Sequence, residues 1–193
     1  MNRTSAGILP TPGTHLIRVL CSGQAVQASM RDARSPADVL FIGEGPGYQE
    51  DREGEPFVGP AGQLLDKILA SIGLSRQTVY IANIVKCHPM KDPSTPEARG
   101  NDRPPTPEEA AACRPFLDEQ IAAVNPRVIV TLGATAAREL LGVSSITRER
   151  GRWREYNGIK ALPTFHPAAL LRDESLKKDV WMDMKALKAE LGL

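Results

Sequence analysis

Four short runs of apolar residues most constrain what this chain can fold into. They lie at residues 39–42, 79–85, 128–132 and 159–162, and each is nearly continuous rather than alternating with polar residues. Such runs are typical of strands that are covered on both faces. Segments with helical spacing separate them. The pattern therefore predicts an α/β fold, a three-layer α/β/α arrangement around a central, mostly parallel four-stranded sheet.

The segments between the runs carry helix signals. Residues 61–72 place apolar side chains at helical spacing. Thr106-Pro-Glu-Glu predicts the start of a helix that continues to about Val124, because threonine caps a first turn and glutamates favour the positive end of the helix dipole. Further helices are predicted at residues 134–141 and at about 175–191.

The composition limits the remaining possibilities. A chain of 193 residues can bury the core of one domain, so we expect a tail and lead-in segment at residues 1–36 and one domain at 37–193. A net charge of +1 means that any surface for nucleic acid must be local. Three cysteines form no disulfide framework, and neither a spanning apolar stretch nor a secretory signal is present. We expect a cytoplasmic monomer without membrane contact.

The first apolar run ends in the turn Gly43-Glu-Gly-Pro-Gly. In open α/β sheets, ligands bind where such turns leave the carboxyl edge. Glycines lack a Cβ, so a flat ligand can approach their backbone closely. The turn contains Glu44, and the aromatic Phe57 follows an acidic stretch. A bare floor, a carboxylate and an aromatic face together favour a planar polar ligand such as a nucleobase.

A dinucleotide-binding turn is the competing interpretation of this segment. That motif needs glycine at its first, third and sixth positions. Gly43 and Gly45 fit, but the sixth position is Tyr48. We also expect no helix to begin directly after Gly47, because the sequence there is acidic and interrupted by proline, so a pyrophosphate would lack a helix N-terminus. A nucleotide-dependent oxidoreductase is therefore disfavoured.

Asn83 lies near the end of the second apolar run. Its amide presents a donor and an acceptor side by side, which match O4 and N3–H of uracil. Cytosine presents the opposite pattern and would leave both groups unpaired, at roughly 1–3 kcal/mol for each buried group. We expect Asn83 to select uracil; a loop-capping role is the alternative.

His166 follows the fourth apolar run in a loop. It could donate a hydrogen bond to a base carbonyl that gains negative charge as the base leaves its sugar, although a structural role is the alternative. Leu170, Leu171 and Arg172 come next. They suit an apolar wedge between stacked bases with a phosphate contact beside it, and packing at a helix start is the competing interpretation. The arginines at residues 148–154 form a second candidate phosphate-facing strip.

Several motifs in this order resemble the family 4 type of bacterial uracil-DNA glycosylases, the class that usually carries an iron–sulfur cluster. The resemblance covers about residues 37–190. It is carried by Gly43-Glu-Gly-Pro-Gly-Tyr-Gln-Glu-Asp, Pro56-Phe-Val-Gly-Pro-Ala-Gly, Tyr80-Ile-Ala-Asn-Ile-Val-Lys-Cys, Pro105-Thr-Pro-Glu-Glu, Leu132-Gly-Ala and Phe165-His-Pro-Ala-Ala-Leu-Leu-Arg. It implies an enzyme that flips uracil out of DNA and cleaves its N-glycosidic bond, leaving an abasic site in base excision repair.

The resemblance also implies roles for individual residues. Gly43 and Gly45 would line the uracil pocket, the latter through its backbone. Phe57 would stack on the flipped base. Asn83 would read the base edge, and His166 would stabilise the leaving base.

Other implied roles concern DNA and water. Leu170 or Leu171 would fill the vacated stack and offset the cost of flipping. Tyr48 would crowd the C5 position and exclude thymine. Family 1 enzymes use an aspartate where this chain has Gly45, so we expect the adjacent Glu44 to polarise water or the sugar cation. Bracing of the loop is the alternative role for Glu44.

The cysteines depart from the family pattern, which has four. Cys87 and Cys113 match the later pair, but only Cys21 lies upstream, and Gln24 stands three residues beyond it. Four thiolates normally hold a [4Fe-4S] cluster. Candidate fourth ligands are His15, His88, another group and solvent. A cluster with such a ligand and the absence of a cluster both stay open, and a cluster here would have a structural role.

Two further functions are alternatives to the glycosylase. One is a non-catalytic uracil- or single-strand-binding relative. The other is a relative that traps its product covalently, which would need a nucleophile in the site. The chain does not show the long basic insertion before His166 that such variants carry.

Overall fold

The computed structural model describes residues 37–193, together with the backbone of strands β1 (Arg18–Cys21) and β2 (Gln24–Gln27). These two strands pair with each other in an antiparallel hairpin. Apart from the backbone of these two strands, the predicted tail and lead-in segment lies outside the described residues, as do His15 and the Cys21 thiol.

The remaining elements alternate between strands and helices. The strands are β3 (Val39–Gly43), β4 (Tyr80–Asn83), β5 (Val128–Leu132), β6 (Arg154–Tyr156) and β7 (Ile159–Thr164). The helices are α1 (Tyr48–Glu53), α2 (Pro60–Ser71), α3 (Pro107–Val124), α4 (Gly133–Leu141), α5 (Ile146–Glu149), α6 (Pro167–Arg172) and α7 (Lys177–Leu191), with a 3₁₀ turn at Glu174–Leu176.

The central sheet has the strand order β4-β3-β5-β7-β6. Its first four strands are parallel, and β6 pairs antiparallel with β7. The α/β class is confirmed, but the predicted count of four strands is wrong. The fifth strand arises because Asn157-Gly158 turns the chain back at left-handed φ values of 48° and 82°, so the residues before the turn join the sheet.

Helix α3 shows how local sequence fixes an element. Thr106 Oγ1 accepts a hydrogen bond from the Glu109 backbone N–H at 3.2 Å, and Glu109 Oε2 accepts one from the Thr106 N–H at 2.8 Å. This reciprocal cap confirms the predicted start. Helix α1, by contrast, begins directly after Gly47, where we expected none. The carboxylate of Glu50 accepts a hydrogen bond from the Gly47 N–H at 3.1 Å and caps the helix. The acidic stretch that was taken as evidence against a helix therefore contains its capping residue.

Helices cover both faces of the sheet. One core cluster joins β3, β5 and β7 to α2, α6 and α7, and a second joins the opposite face to α3 and α4. This three-layer arrangement leaves the carboxyl edge of the parallel strands open for the turns that follow them. None of the helices in the described part is long and apolar enough to cross a membrane.

Candidate active site

A cavity of about 690 Å³ lies at the carboxyl edge of the sheet. Its lining comes from the turns after β3, β5 and β7, from the segment around Phe57 and from the loop before α3. The lining includes Glu44, Gly45, Tyr48, Phe57, Asp102, His166 and Arg172. Segments far apart in sequence therefore converge on one concave surface, as the parallel topology predicts.

The last residues of β3 and β4 form the floor of the corner beside this cavity. Gly43 is in register with Asn83 across the two strands. A Cβ added at Gly43 would lie 2.5 Å from Asn83 Oδ1 and 2.5 Å from Phe57 Cζ, so only glycine fits. Asn83 is 7% exposed, and its Oδ1 is buried without a hydrogen-bond partner among the described residues. An orphaned buried acceptor is unfavourable unless a ligand supplies the donor.

Phe57 adopts an unusual backbone conformation beside that acceptor. Its φ of 59° lies in the left-handed region, which costs a non-glycine residue about 1–3 kcal/mol. Arg76 holds the segment by donating to the carbonyls of Pro56 (2.8 Å) and Phe57, while its Nε contacts Asp66 at 2.7 Å. A Cβ at Gly62 would lie 1.6 Å from the Phe57 carbonyl oxygen. Helix α2 therefore approaches closely enough to fix the aromatic ring.

His166 caps helix α6 with its own imidazole. Nδ1 accepts the Ala168 backbone N–H at 3.1 Å, so the neutral ring carries its proton on Nε2. The ring stacks against Phe57 with centroids 5.5 Å apart and an interplanar angle of 29°. Burial, assisted by the nearby Arg172, lowers the pKa of His166 to about 4. The site thus holds a neutral imidazole with one fixed donor.

Glu44 and Gly45 lie at the mouth of the corner. The Glu44 side chain lines the cavity and is half-buried, and among the described residues its carboxylate has no hydrogen-bond or ion-pair partner. Its backbone carbonyl accepts from Val85 N–H at 3.1 Å. A Cβ at Gly45 would lie 2.7 Å from Val85 Cγ2, which explains the glycine. Tyr48 also lines the cavity as the first residue of α1.

Glu50 is a positioning residue that the sequence interpretation missed. Its two carboxylate oxygens accept from Gly47 N–H at 3.1 Å and from Gly59 N–H at 2.8 Å. One side chain therefore ties the glycine turn to the segment that carries Phe57. In the sequence, Glu50 is one of several acids between Gly47 and Gly59, and no local pattern distinguishes it from the others.

Comparison with known proteins identifies the fold that these residues occupy. A family model described as the Uracil DNA glycosylase superfamily matches residues 32–187. The chain belongs to this superfamily.

Curated relatives agree with that assignment. The chain is 46% identical over 156 residues to a type-4 uracil-DNA glycosylase of Thermotoga maritima, covering 78% of this chain and 76% of the relative. Proteins of the same name from Archaeoglobus fulgidus and Saccharolobus solfataricus are 40% identical over 160 residues and 39% identical over 171 residues. The alignments cover 78% and 83% of this chain, and 75% and 74% of those relatives. The resemblance inferred from the motifs is confirmed.

The residues of helix α6 that were expected to contact DNA differ in their exposure to solvent. Leu170 is 1% exposed and packs in the core with α2 and α7, which corrects its candidacy as a wedge. Leu171 is 52% exposed. Arg172 is exposed and lines the cavity. Two adjacent leucines on a helix point about 100° apart, so one faces the core and one faces solvent.

The arginines at residues 148–154 do not act as one strip. Arg150 is bound to the buried carboxylate of Asp183, with Nε 2.9 Å from Oδ2, and Arg154 pairs with Glu149. Arg148 and Arg152 are exposed and have no ion-pair partner within the described part of the chain.

The described residues hold two of the three cysteines and do not by themselves form an iron–sulfur site. The chain has three cysteines and cannot supply four thiolates. Cys113 is buried, and its Sγ accepts the Lys86 N–H at 3.4 Å. His88 Nε2 lies 2.6 Å from Asp102 Oδ1. Although Cys87, His88 and Cys113 are all described, no three His, Cys, Asp or Glu side chains in residues 37–193 come together as a metal site.

Proposed function

We propose that this chain is a uracil-DNA glycosylase that hydrolyses the N-glycosidic bond of uracil in DNA and leaves an abasic site for base excision repair. One observation carries the proposal: an unpartnered buried amide oxygen lies beside a held aromatic ring and a neutral imidazole donor. The names of the relatives support the same activity.

Base reading rests on the side chain of Asn83. Uracil N3–H donates to the orphaned Oδ1, while the amide N–H donates to uracil O4. The ring of Phe57 supplies a stacking face for a flipped base, which has left its partners in the duplex. Gly43 and Gly45 let the base approach the floor of the pocket. Cytosine would leave both amide groups of Asn83 unpaired and is rejected.

Bond cleavage uses the donor that His166 holds in place. As the bond between uracil N1 and C1′ breaks, its electron pair stays on uracil and negative charge reaches O2. The Nε2–H donates to that oxygen, because Nδ1 is already occupied by the Ala168 N–H. Positive charge remains on the sugar in an oxocarbenium-like state. A donor placed in advance stabilises this separation without reorganisation.

Glu44 completes the hydrolysis in this proposal. Its half-buried carboxylate has no partner among the described residues and faces the same cavity. It attracts the sugar cation and accepts a proton from the water that adds to C1′. The products are a hydroxyl group on the abasic sugar, a uracil anion that takes up a proton from solvent, and a protonated Glu44 that returns its proton to solvent.

DNA contact in this proposal comes from helix α6. Leu171, the exposed leucine, enters the base stack in place of the flipped nucleotide, and Arg172 contacts a phosphate beside it. We assign the catalytic domain to residues 37–193. Action as a monomer in the cytoplasm stays a prediction.

We further propose that the segment before α3 is ordered without an iron–sulfur cluster. Support comes from the three-cysteine composition and from the polar contacts of that segment, including Arg103 with Glu109 at 2.7 Å. Iron and acid-labile sulfide analysis of anaerobically purified protein should find no stoichiometric iron. About four irons per chain would overturn this part of the proposal.

The decisive experiment is excision from an oligonucleotide with one uracil, beside matched thymine and cytosine oligonucleotides, followed by alkali to cut abasic sites. Cleavage only at uracil is expected. Tight uracil-DNA binding without cleavage would point to the non-catalytic relative, and a stable protein–DNA adduct would point to the product-trapping one. Either result would refute the glycosylase.

A further inference from the structure

Lys86 is a buried cation directly behind the proposed base reader. It is 5% exposed. Its Nζ donates to the backbone carbonyl of Asn83 at 2.7 Å and to Gln120 Oε1 at 2.6 Å. The side chain therefore connects the end of β4 to the middle of α3.

Among the described residues, no carboxylate pairs with this charge. Both of the acceptors that the Lys86 Nζ contacts are neutral. Burial of an ammonium costs several kcal/mol even after relaxation, so an uncompensated one is retained only where its hydrogen bonds matter.

The topology explains why Asn83 needs this donor. β4 is an edge strand of the sheet. Ile84 donates its N–H to the Gly43 carbonyl at 2.9 Å, and backbone groups of successive strand residues point to opposite sides. The Asn83 carbonyl therefore faces the open side, where no strand can pair with it. The Lys86 ammonium supplies the missing bond in its stronger, charge-assisted form.

We infer that Lys86 is a positioning residue for base selection, anchored by Gln120, which fixes the backbone of Asn83 so that its amide meets the uracil edge. The inference rests on the proposed function. Rotation of the Asn83 peptide would displace both groups of the amide together, and an error of about 1 Å at a reacting group can cost about 100-fold in rate. Gln120 is 1% exposed, so the anchor itself has little freedom.

The primary test replaces Lys86 by methionine, which keeps the apolar stem and removes the donor. We expect kcat/KM for uracil to fall about 10- to 100-fold, with a smaller ratio of uracil to cytosine excision. Lys67→Met on the exposed face of α2 is the matched control and should leave excision unchanged. Full activity of Lys86→Met would refute the inference.

A double-mutant cycle separates positioning from general stability. In an Asn83→Ala background, Lys86→Met should have almost no further effect on excision, because the group that it positions is gone. An equal loss in both backgrounds would show a structural role alone and overturn the inference.

A second pair of variants covers the case in which Lys86→Met does not fold. Gln120→Glu retains an oxygen acceptor for the ammonium and should keep activity within about threefold, whereas Gln120→Leu should lose about tenfold. Equal activities of these two variants would contradict the inference. If the wild-type chain binds uracil-DNA without cleaving it, the proposed reaction fails, and the same variants test the inference through affinity for uracil over cytosine.

Discussion

Two regions at the carboxyl edge of the sheet are ordered by different forces. The base corner (Gly43, Phe57, Asn83 and His166) is placed by the register of parallel strands and by close packing that excludes even a methyl group at Gly43. The second region is the proline-rich loop (residues 88–106), which contributes Pro89, Asp102 and Arg103 to the lining of the cavity. It is organised by Asn101, whose amide oxygen accepts from the backbone N–H of Lys91 and Asp92 and whose amide nitrogen donates to two carbonyls.

The two regions differ in whether their polar side chains are available to a ligand or are already bonded within the protein. In the base corner, the buried Oδ1 of Asn83 has no hydrogen-bond partner among the described residues, whereas in the proline-rich loop the buried amide of Asn101 makes four hydrogen bonds within the protein. Substitutions in the base corner should therefore change rate and selectivity, and substitutions in the loop should change stability.

The largest effect is expected for His166→Ala. Loss of the donor to uracil O2 should lower kcat by about 100- to 1,000-fold with little change in uracil-DNA affinity. Single-turnover excision and a parallel binding titration measure the two quantities. Equal losses of rate and affinity would contradict the leaving-group role.

Asn83→Asp should come next. A carboxylate can accept from N3–H of uracil but repels O4, so kcat/KM for uracil should fall about 10- to 100-fold with some gain on cytosine. Asn125→Asp, at the exposed end of α3, is the matched control. Unchanged uracil excision in Asn83→Asp would remove Asn83 as the base reader.

Leu171→Ala should have an intermediate effect. Without the wedge, excision from double-stranded DNA should slow about tenfold, and excision from single strands should change little because no stack must be refilled. Leu193→Ala changes a similarly exposed leucine and serves as control. A loss of equal size on both substrates would argue against a wedge.

Asn101→Ala tests the proline-rich loop. Removal of the amide leaves buried backbone groups unpaired, so the free energy of unfolding should drop by about 1–3 kcal/mol. Excision well below the melting temperature should stay within about threefold of wild type. Urea titrations measure the stability, and initial rates measure excision. A large loss of rate without a loss of stability would contradict the expected difference between the base corner and the proline-rich loop.

The smallest effect is expected for a change of pH, through the protonation of His166. His166 has a pKa of about 4 in the fold, against about 6.5 in an unfolded chain, so the folded protein binds fewer protons between these values. The free energy of unfolding therefore falls as pH falls through this window, and kcat/KM should halve near pH 4 as the imidazole gains charge. In His166→Gln, the acid-dependent loss of stability should be smaller. Identical pH profiles of stability would contradict the assignment.

Much of the base corner could be predicted from the sequence. The apolar runs before Gly43, Asn83 and His166 indicate parallel strands, and the turn after each run must then reach the same edge. Other features depend on distances that no local pattern encodes. The choice between Leu170 and Leu171 is decided by how α6 packs on α2, and Lys86 owes its role to Gln120, 34 residues away.

The cap on helix α6 has a consequence for the working conditions of the protein. Many hydrolases orient a catalytic histidine with a carboxylate, which makes the imidazole more basic and ties its behaviour to a second charge. Here a peptide N–H does the orienting, and among the described residues no carboxylate is bonded to the ring, so this contact contains no ion pair that salt could screen or a proton could remove. The chemical step should therefore tolerate changes in ionic strength, so that salt acts on the overall rate through the encounter with DNA phosphates.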